Sequence, residues 1–410
     1  MPARLTLRGL LFALTLFAAA LPAHAADPIK IGFGMSLTGK LASNGKMALV
    51  GMQIWEDYIN SAGGLIGRPV KLVYYDDRSD PAQVPGIYAK LLDVDKVDLI
   101  VSGYASTQIA AAMPIAIERK KLFMGLSGSG INDAFHYPMY FSMISTGHNA
   151  KEAFTFGFFK VAAAQNPKPQ TVALAYADAE FGQNACEGAR ASAKASGFRI
   201  VYDKNYPPAT VDFAPIVRAI AAVNPDLLVI CSYPLDTVGW IKTIHEIGYA
   251  PKMWGGAMVG LQSTALKTQL GPLLNGIVNF ETWMPVQSLA SPEALAFLNK
   301  YRERAKSAGT DALAFYPVMA YADLQVLGDA IAVTKSLKDD ALTAYMHRAT
   351  FKTVVGDIKF GPEGEWAEQR MLATQFQNIK SNNVDEFRDL KTEGRCLSAA
   401  AQERRASLSV

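Results

Sequence analysis

The chain has 410 residues, of which 50% are hydrophobic, 19% charged and 10% aromatic. That apolar content excludes a disordered chain, and three cysteines exclude a disulfide scaffold. A formal net charge of +3 excludes the electrostatic footprint of a nucleic-acid binder, since Arg119-Lys120-Lys121 and Arg404-Arg405 are the longest basic clusters. At roughly 150 residues per domain, the length predicts two or three domains.

Residues 1–25 read as a cleavable secretory signal peptide. Arg4 and Arg8 precede an apolar run from Gly9 to Leu21, and Ala23-His24-Ala25 supplies small residues at −3 and −1. The run is too short to span about 30 Å of hydrocarbon as a helix. The rest of the chain has no second long apolar stretch, so a soluble protein outside the cytoplasm is expected. Cys186, Cys231 and Cys396 follow no metal-ligand spacing. Cys186 falls in a helix pattern and Cys231 in an apolar strand pattern, which suits buried small hydrophobes. A disulfide between any two of the three stays open, and the odd count leaves at least one thiol free.

Strand and helix signals then alternate. Ile29 to Met35 is an apolar strand ending in Ser36-Leu37-Thr38-Gly39. A helix from about Asn44 to Ser61 carries Met47, Val50, Ile54, Trp55 and Tyr58 at helical spacing, and Gly63-Gly64 stops it. Val70 to Tyr75, Leu99 to Val101 and Leu122 to Leu126 are further strands. The alternation restarts after about residue 146, with strands at Thr171–Tyr176, Arg199–Tyr202, Leu227–Cys231, Lys252–Trp254 and Gly276–Asn279. Helices are expected at 183–196, 292–308 and 317–334. Strands joined by helices at this spacing predict parallel sheets covered on both faces, in two similar doubly wound α/β lobes. Residues 396–410, with Ser398-Ala399-Ala400-Ala401, read as a loose tail.

Catalytic constellations are scarce. His245-Glu246 begins like a zinc-protease helix, but Tyr249 stands where the second histidine is needed. Gly125-Leu126-Ser127-Gly128-Ser129 lacks the final glycine of a nucleophile elbow, and no Gly-Lys-Ser/Thr phosphate loop occurs. Asp76-Asp77 read as loop and cap residues. No enzyme, metal site or cofactor is expected. Instead, Ser36–Gly39, Gly103–Thr107 and Ser127–Gly130 each place small hydroxyl residues after a strand. In a doubly wound sheet such loops line the ligand crevice, and helix N-termini there favour anions or carbonyl oxygens.

With these pieces in place, the chain resembles the extracytoplasmic solute-binding proteins of ABC importers, of the branched-chain amino acid (leucine/isoleucine/valine-binding) type. Asn60-Ser61-Ala62-Gly63-Gly64-Leu65-Ile66-Gly67-Arg68-Pro69-Val70 is similar to that family's N-x-x-G-G-I-x-G-x-x-V segment. Tyr176 to Gly182 resembles its second-lobe D-x-x-(Y/F)-G loop, and Val355 to Phe360 its late G-x-(I/L)-x-F crossover. The resemblance implies a type I periplasmic binding fold: two doubly wound parallel-sheet lobes joined by three hinge crossovers. Lobe one would take 28–145 and 282–354, and lobe two 146–281 and 355–395. It also implies a periplasmic location, a small-molecule solute trapped by hinge closure, docking on an ABC membrane permease, and a monomer.

The resemblance places the pocket at Tyr104, Ser106 and Thr107, at Ser127, Ser129 and Gly130, at Phe181 and Tyr233, and at Asn44, where the family has an aromatic cap. Amino-acid binders of this family hold the ligand's ammonium with an acid near Met253-Trp254, and here Ala257 or Met258 takes that position. No Asp or Glu lies between Glu246 and Glu281. A buried α-ammonium without its carboxylate loses roughly 3–5 kcal/mol, more than about a hundredfold in affinity. The expected ligand is therefore an aromatic or aliphatic carboxylate without an α-ammonium. Trp254 and Trp283 would add aromatic surface, and Lys40 and His148 stand as loop residues near the cleft or hinge. An amino acid, an amide, or a ligand-sensing role on the same fold are the alternatives.

Overall fold

The computed structural model describes residues 27–388 except Gln287. The expected signal peptide, Cys396 and the expected tail lie outside the described residues. The first half contains β1 (Ile29–Met35), α1 (Ala42–Ser61), β2 (Val70–Asp76), α2 (Val84–Asp93), β3 (Leu99–Val101), α3 (Ser106–Glu118), β4 (Phe123–Gly125), α4 (Asn132–Phe135) and β5 (Tyr140–Ser142). The five strands form a parallel sheet in the order β2-β1-β3-β4-β5. β1 lies between β2 and β3 and is almost wholly buried, as its continuous apolar run dictates.

The chain then builds α5 (Ala153–Ala163), β6 (Thr171–Ala177), α6 (Glu180–Ala195), β7 (Arg199–Tyr206), α7 (Ala214–Val223), β8 (Leu227–Ser232), α8 (Pro234–Ile247), β9 (Met253–Met258), α9 (Thr264–Leu270) and β10 (Val278–Glu281). It returns through α10 (Pro292–Ser307), α11 (Pro317–Thr334), α12 (Asp339–Met346), β11 (Thr350–Thr353), β12 (Gly356–Lys359) and β13 (Leu372–Gln375). The second sheet runs β13-β10-β9-β8-β6-β7, and all six residues of β8 are buried at its centre. Trp240 on α8 is fully buried with its ring centre 5.7 Å from that of Tyr206 and 5.1 Å from that of Phe213. Each such aromatic pair adds about 0.5–1.5 kcal/mol beyond area burial.

Two features depart from the sequence reading. β13 pairs antiparallel with β10, so the second sheet is not wholly parallel. β11 and β12 form one antiparallel hairpin, and the expected lobe break at 354/355 falls inside it. Just beyond that hairpin, the Gly364 carbonyl accepts from the Ser142 amide, which ties residues 360–366 to the first sheet.

α11 returns to the first lobe because two glycines let helices approach. A Cβ on Gly51 of α1 would stand 2.5 Å from the Pro317 carbonyl oxygen, and one on Gly328 of α11 would stand 2.7 Å from the Trp55 ring. Among the described residues no helix is long and apolar enough to cross a membrane. The chain passes between the sheets three times, at 143–152, 282–291 and 360–371. The crossovers are stitched to one another: Ser145 Oγ donates to the Thr282 carbonyl at 3.2 Å, and the Arg370 amide donates to the Ser145 carbonyl at 2.8 Å.

Candidate functional site

The ends of the two sheets meet at a cavity of about 30 Å³. From the first lobe come Tyr104, Ala105 and Ser106 at the start of α3, Ser127 after β4, and Tyr316 before α11. From the second come Phe154 on α5, Phe181 on α6, Tyr233 before α8, Val259 and Gln262 after β9, and Phe280 on β10. Ile144 and Thr282 enter from the crossovers.

The first-lobe wall is built by a tight loop. A Cβ on Gly103 would stand 2.0 Å from the Gly34 carbonyl oxygen, so only glycine lets β3 turn there beside β1. Ala105 follows with φ at 89°, in the left-handed region, and hands the chain to α3. The Gln108 amide already turns back to the Ala105 carbonyl at 3.1 Å, whereas the Ser106 and Thr107 amides open α3 without an intrahelical acceptor and bring the positive end of the helix dipole to the cavity. Ser106 Oγ accepts from the Ser129 amide at 3.1 Å, and Ser127 Oγ lies 2.6 Å from Tyr316 Oη. The Tyr104 and Tyr316 rings meet edge to face at 5.6 Å.

The second-lobe wall is an aromatic chain. Phe280 and Phe154 meet at 5.0 Å, Phe154 and Phe181 at 5.1 Å, and Phe181 and Tyr233 at 5.9 Å. Tyr233 Oη accepts from the Phe181 amide at 3.3 Å. Burial pushes the phenols of Tyr104, Tyr233 and Tyr316 up, so all three stay protonated as donors near neutral pH.

The lining contains no Asp, Glu, Lys, Arg or His. Glu281 sits between two lining residues but is not one of them, because side chains alternate along an extended strand end. The cavity therefore offers hydroxyls, a carboxamide, a helix N-terminus and aromatic faces, with no fixed charge. Among the described residues no group of three acidic, histidine or cysteine side chains is arranged to hold a metal.

Of the residues expected from sequence, Tyr104, Ser106, Ser127, Phe181 and Tyr233 share this cavity, and six others do not line it. Ala257 and Met258 are fully buried within β9, which runs on past Trp254, and the Asn279 side chain bonds the Met258 backbone at 3.0 Å and 3.1 Å. The turn after the strand presents Val259 and Gln262 instead. Asn44 is fully buried in α1 and is no cap over the cavity. Thr107 Oγ1 turns to Gln108 Oε1 at 2.6 Å. Ser129 is fully buried behind Ser106, and Gly130, with φ at 60°, packs towards Lys151. Trp254 packs on His245, Trp283 is buried away from the lining, and His148 is exposed on the first crossover. Lys40 lines a neighbouring cavity of about 360 Å³ with Leu235, Asp236 and residues of the 208–211 loop. Tyr233 is common to both cavities.

Phe154, Phe280, Gln262 and Tyr316 were missed by sequence reasoning. Phe154 and Phe280 read as ordinary core aromatics. Tyr316 precedes a proline that opens a helix, a signal of position but not of direction.

Two lobes with mainly parallel sheets, three crossovers and a cavity at the strand ends define a two-lobed binding protein of the type I periplasmic fold. The sequence profile of the periplasmic binding protein family matches residues 28–382, and the chain belongs to that family. It is 24% identical over 389 residues to Leu/Ile/Val-binding protein homolog 8 of Brucella abortus (strain 2308), covering 91% of this chain and 93% of that one. Its fold matches leucine-binding protein LivK of Thermotoga maritima MSB8 with a TM-score of 0.74 at 19% identity, over 85% of this chain and 96% of that one. It matches equally well a solute-binding protein of an ABC transporter from Rhodopseudomonas palustris BisB5 in complex with 3,4-dihydroxybenzoic acid. There the TM-score is 0.73 at 20% identity, over 87% of this chain and 94% of the other.

Proposed function

We propose that the chain is the periplasmic receptor of an ABC importer and that it captures a small aromatic or aliphatic carboxylate lacking an α-ammonium group. The observation that carries the ligand class is the uncharged lining. A carboxylate finds the α3 amides and the Ser106 and Ser127 hydroxyls, while its body lies against Phe154, Phe181 and Tyr233. An α-ammonium finds no carboxylate within the lining. Structural neighbours include one holding 3,4-dihydroxybenzoic acid, which accords with this reading.

The cavity is far below the 300–1,000 Å³ or so of usual small-molecule sites, so solute entry requires the lobes to part about the three crossovers. The docking partner would be a membrane permease that recognises the closed lobes, and a monomer suffices for that task. An amino-acid solute is the second reading. Asp236, beyond Tyr233 in the neighbouring cavity, is the carboxylate that could receive its ammonium.

A thermal-shift screen of residues 26–410 tests both. Benzoates, phenylpropanoid acids, aliphatic mono- and dicarboxylates, amides and branched-chain amino acids form the panel. A ligand at about 100 times its Kd stabilises the fold by about 2.7 kcal/mol. Shifts with the acids and none with leucine support the carboxylate reading. A strong leucine shift that Asp236→Asn abolishes would establish the amino-acid reading instead.

A further inference from the structure

Cys186 on α6 and Cys231 on β8 are both fully buried, and their sulfurs stand 2.8 Å apart. Both are free thiols in this structure. Two unbonded sulfurs do not rest so close, and the gap exceeds a disulfide bond of about 2.05 Å by less than 1 Å. The two side chains therefore already meet, sulfur to sulfur, between α6 and β8. The Ala175 carbonyl oxygen lies farther off, 4.0 Å from Cys186 Sγ. Ala175 and Ala189 around them are fully buried.

We propose that Cys186 and Cys231 are joined by an intrachain disulfide that pins α6 to the centre of the second sheet. The step is thiol–disulfide exchange with an oxidised dithiol donor of the exporting compartment. One cysteine thiolate attacks the donor disulfide, and the second displaces the donor from the mixed disulfide. The S–S bond forms as two protons and two electrons pass to the donor, which leaves as two thiols. Burial pushes the Cys186 thiol up and removes the thiolate that exchange requires, so the bond forms before α6 packs on the sheet. Once packed, it is shielded from reductant. The bond closes a loop containing β7 and α7 and removes that loop's freedom from the unfolded chain.

This inference rests on the periplasmic reading for its oxidant, and the experiment separates the two. Full-length protein is expressed with its own N-terminus, the periplasmic fraction is collected, and thiols are alkylated in denaturant with and without reduction. The expected result is an intact mass lighter by two hydrogens and one alkylated cysteine before reduction, rising to three afterwards. Non-reducing peptide maps then join the Cys186 and Cys231 peptides. Reduction in denaturant followed by refolding lowers the melting temperature by about 4–10 °C. Three reactive thiols in exported protein, or a cross-link that includes Cys396, would overturn the proposal. A second arm refolds purified residues 26–410 in a glutathione redox mixture. Pairing there, with no export in the first arm, overturns the location and supports the bond.

Discussion

The Asn184 side chain donates to the Ser129 carbonyl at 2.7 Å, joining α6 of the second lobe to the loop after β4 of the first. Both groups are buried in the closed arrangement. When the lobes part, water can satisfy each of them, so the bond favours closure more than folding. Asn184→Ala is expected to weaken solute binding about 2- to 10-fold, measured by titration calorimetry with a solute from the screen. The melting temperature without solute should move little by comparison. An unchanged affinity would remove this bond from the closure energetics.

Ser106 and the Ser127–Tyr316 pair form the polar side of the cavity. Hydrogen bonds to a charged group contribute about 1.5–3 kcal/mol. Ser106→Ala should therefore weaken a carboxylate about 10- to 100-fold. Ser127→Ala and Tyr316→Phe each break one 2.6 Å contact, so their effects should combine less than additively in a double-mutant cycle. A neutral amide of the same shape should lose less with Ser106→Ala than the acid does.

Glu365 lies on the third crossover beside Ser142 and Thr146 and is almost wholly buried. Burial pushes its carboxyl up to about 8, and Asp133 and Glu363 act in the same direction. In the unfolded chain a glutamate titrates near about 4.3. Between those values the folded state holds the extra proton, so stability is full below about pH 4.3 and falls as pH rises to about 8. Glu365→Gln cannot ionise. Its melting temperature relative to the parent should rise from pH 5 and level off above about pH 8, by an amount worth about 2–4 kcal/mol. A constant gap across that range would place the carboxyl's titration elsewhere.

Two glycine substitutions should act in opposite senses. Gly255 in β9 has φ at 136°, and a Cβ there would stand 1.8 Å from the Val278 carbonyl oxygen. Gly255→Ala must push β9 from β10 and should leave little folded protein, judged by circular dichroism and solubility. Gly86 in α2 is exposed and a Cβ there meets nothing within 4 Å. Gly86→Ala should stabilise by about 0.5–1 kcal/mol in chemical denaturation.

The amino-acid sequence by itself determined the strand and helix alternation, the two-lobed α/β class and the family. Apolar runs such as Leu227–Cys231 and the glycine–hydroxyl loops after β3 and β4 report local conformation, which depends on neighbours a few residues away. It also showed that the segment after Trp254 carries no acid. The tertiary structure decided which side chains meet. β9 runs on through Ala257 and Met258, so the cavity receives Val259 and Gln262, which follow the expected positions in sequence. Tyr316 reaches Ser127 across 189 positions of sequence, and Cys231 reaches Cys186 across 45. The antiparallel pairing of β13 was equally illegible, since a short strand's own pattern does not state its direction. Periodicity fixes the face a residue shows within its own element. Which distant face it meets depends on sheet order, register and the three crossovers, and those exist only once the chain has folded.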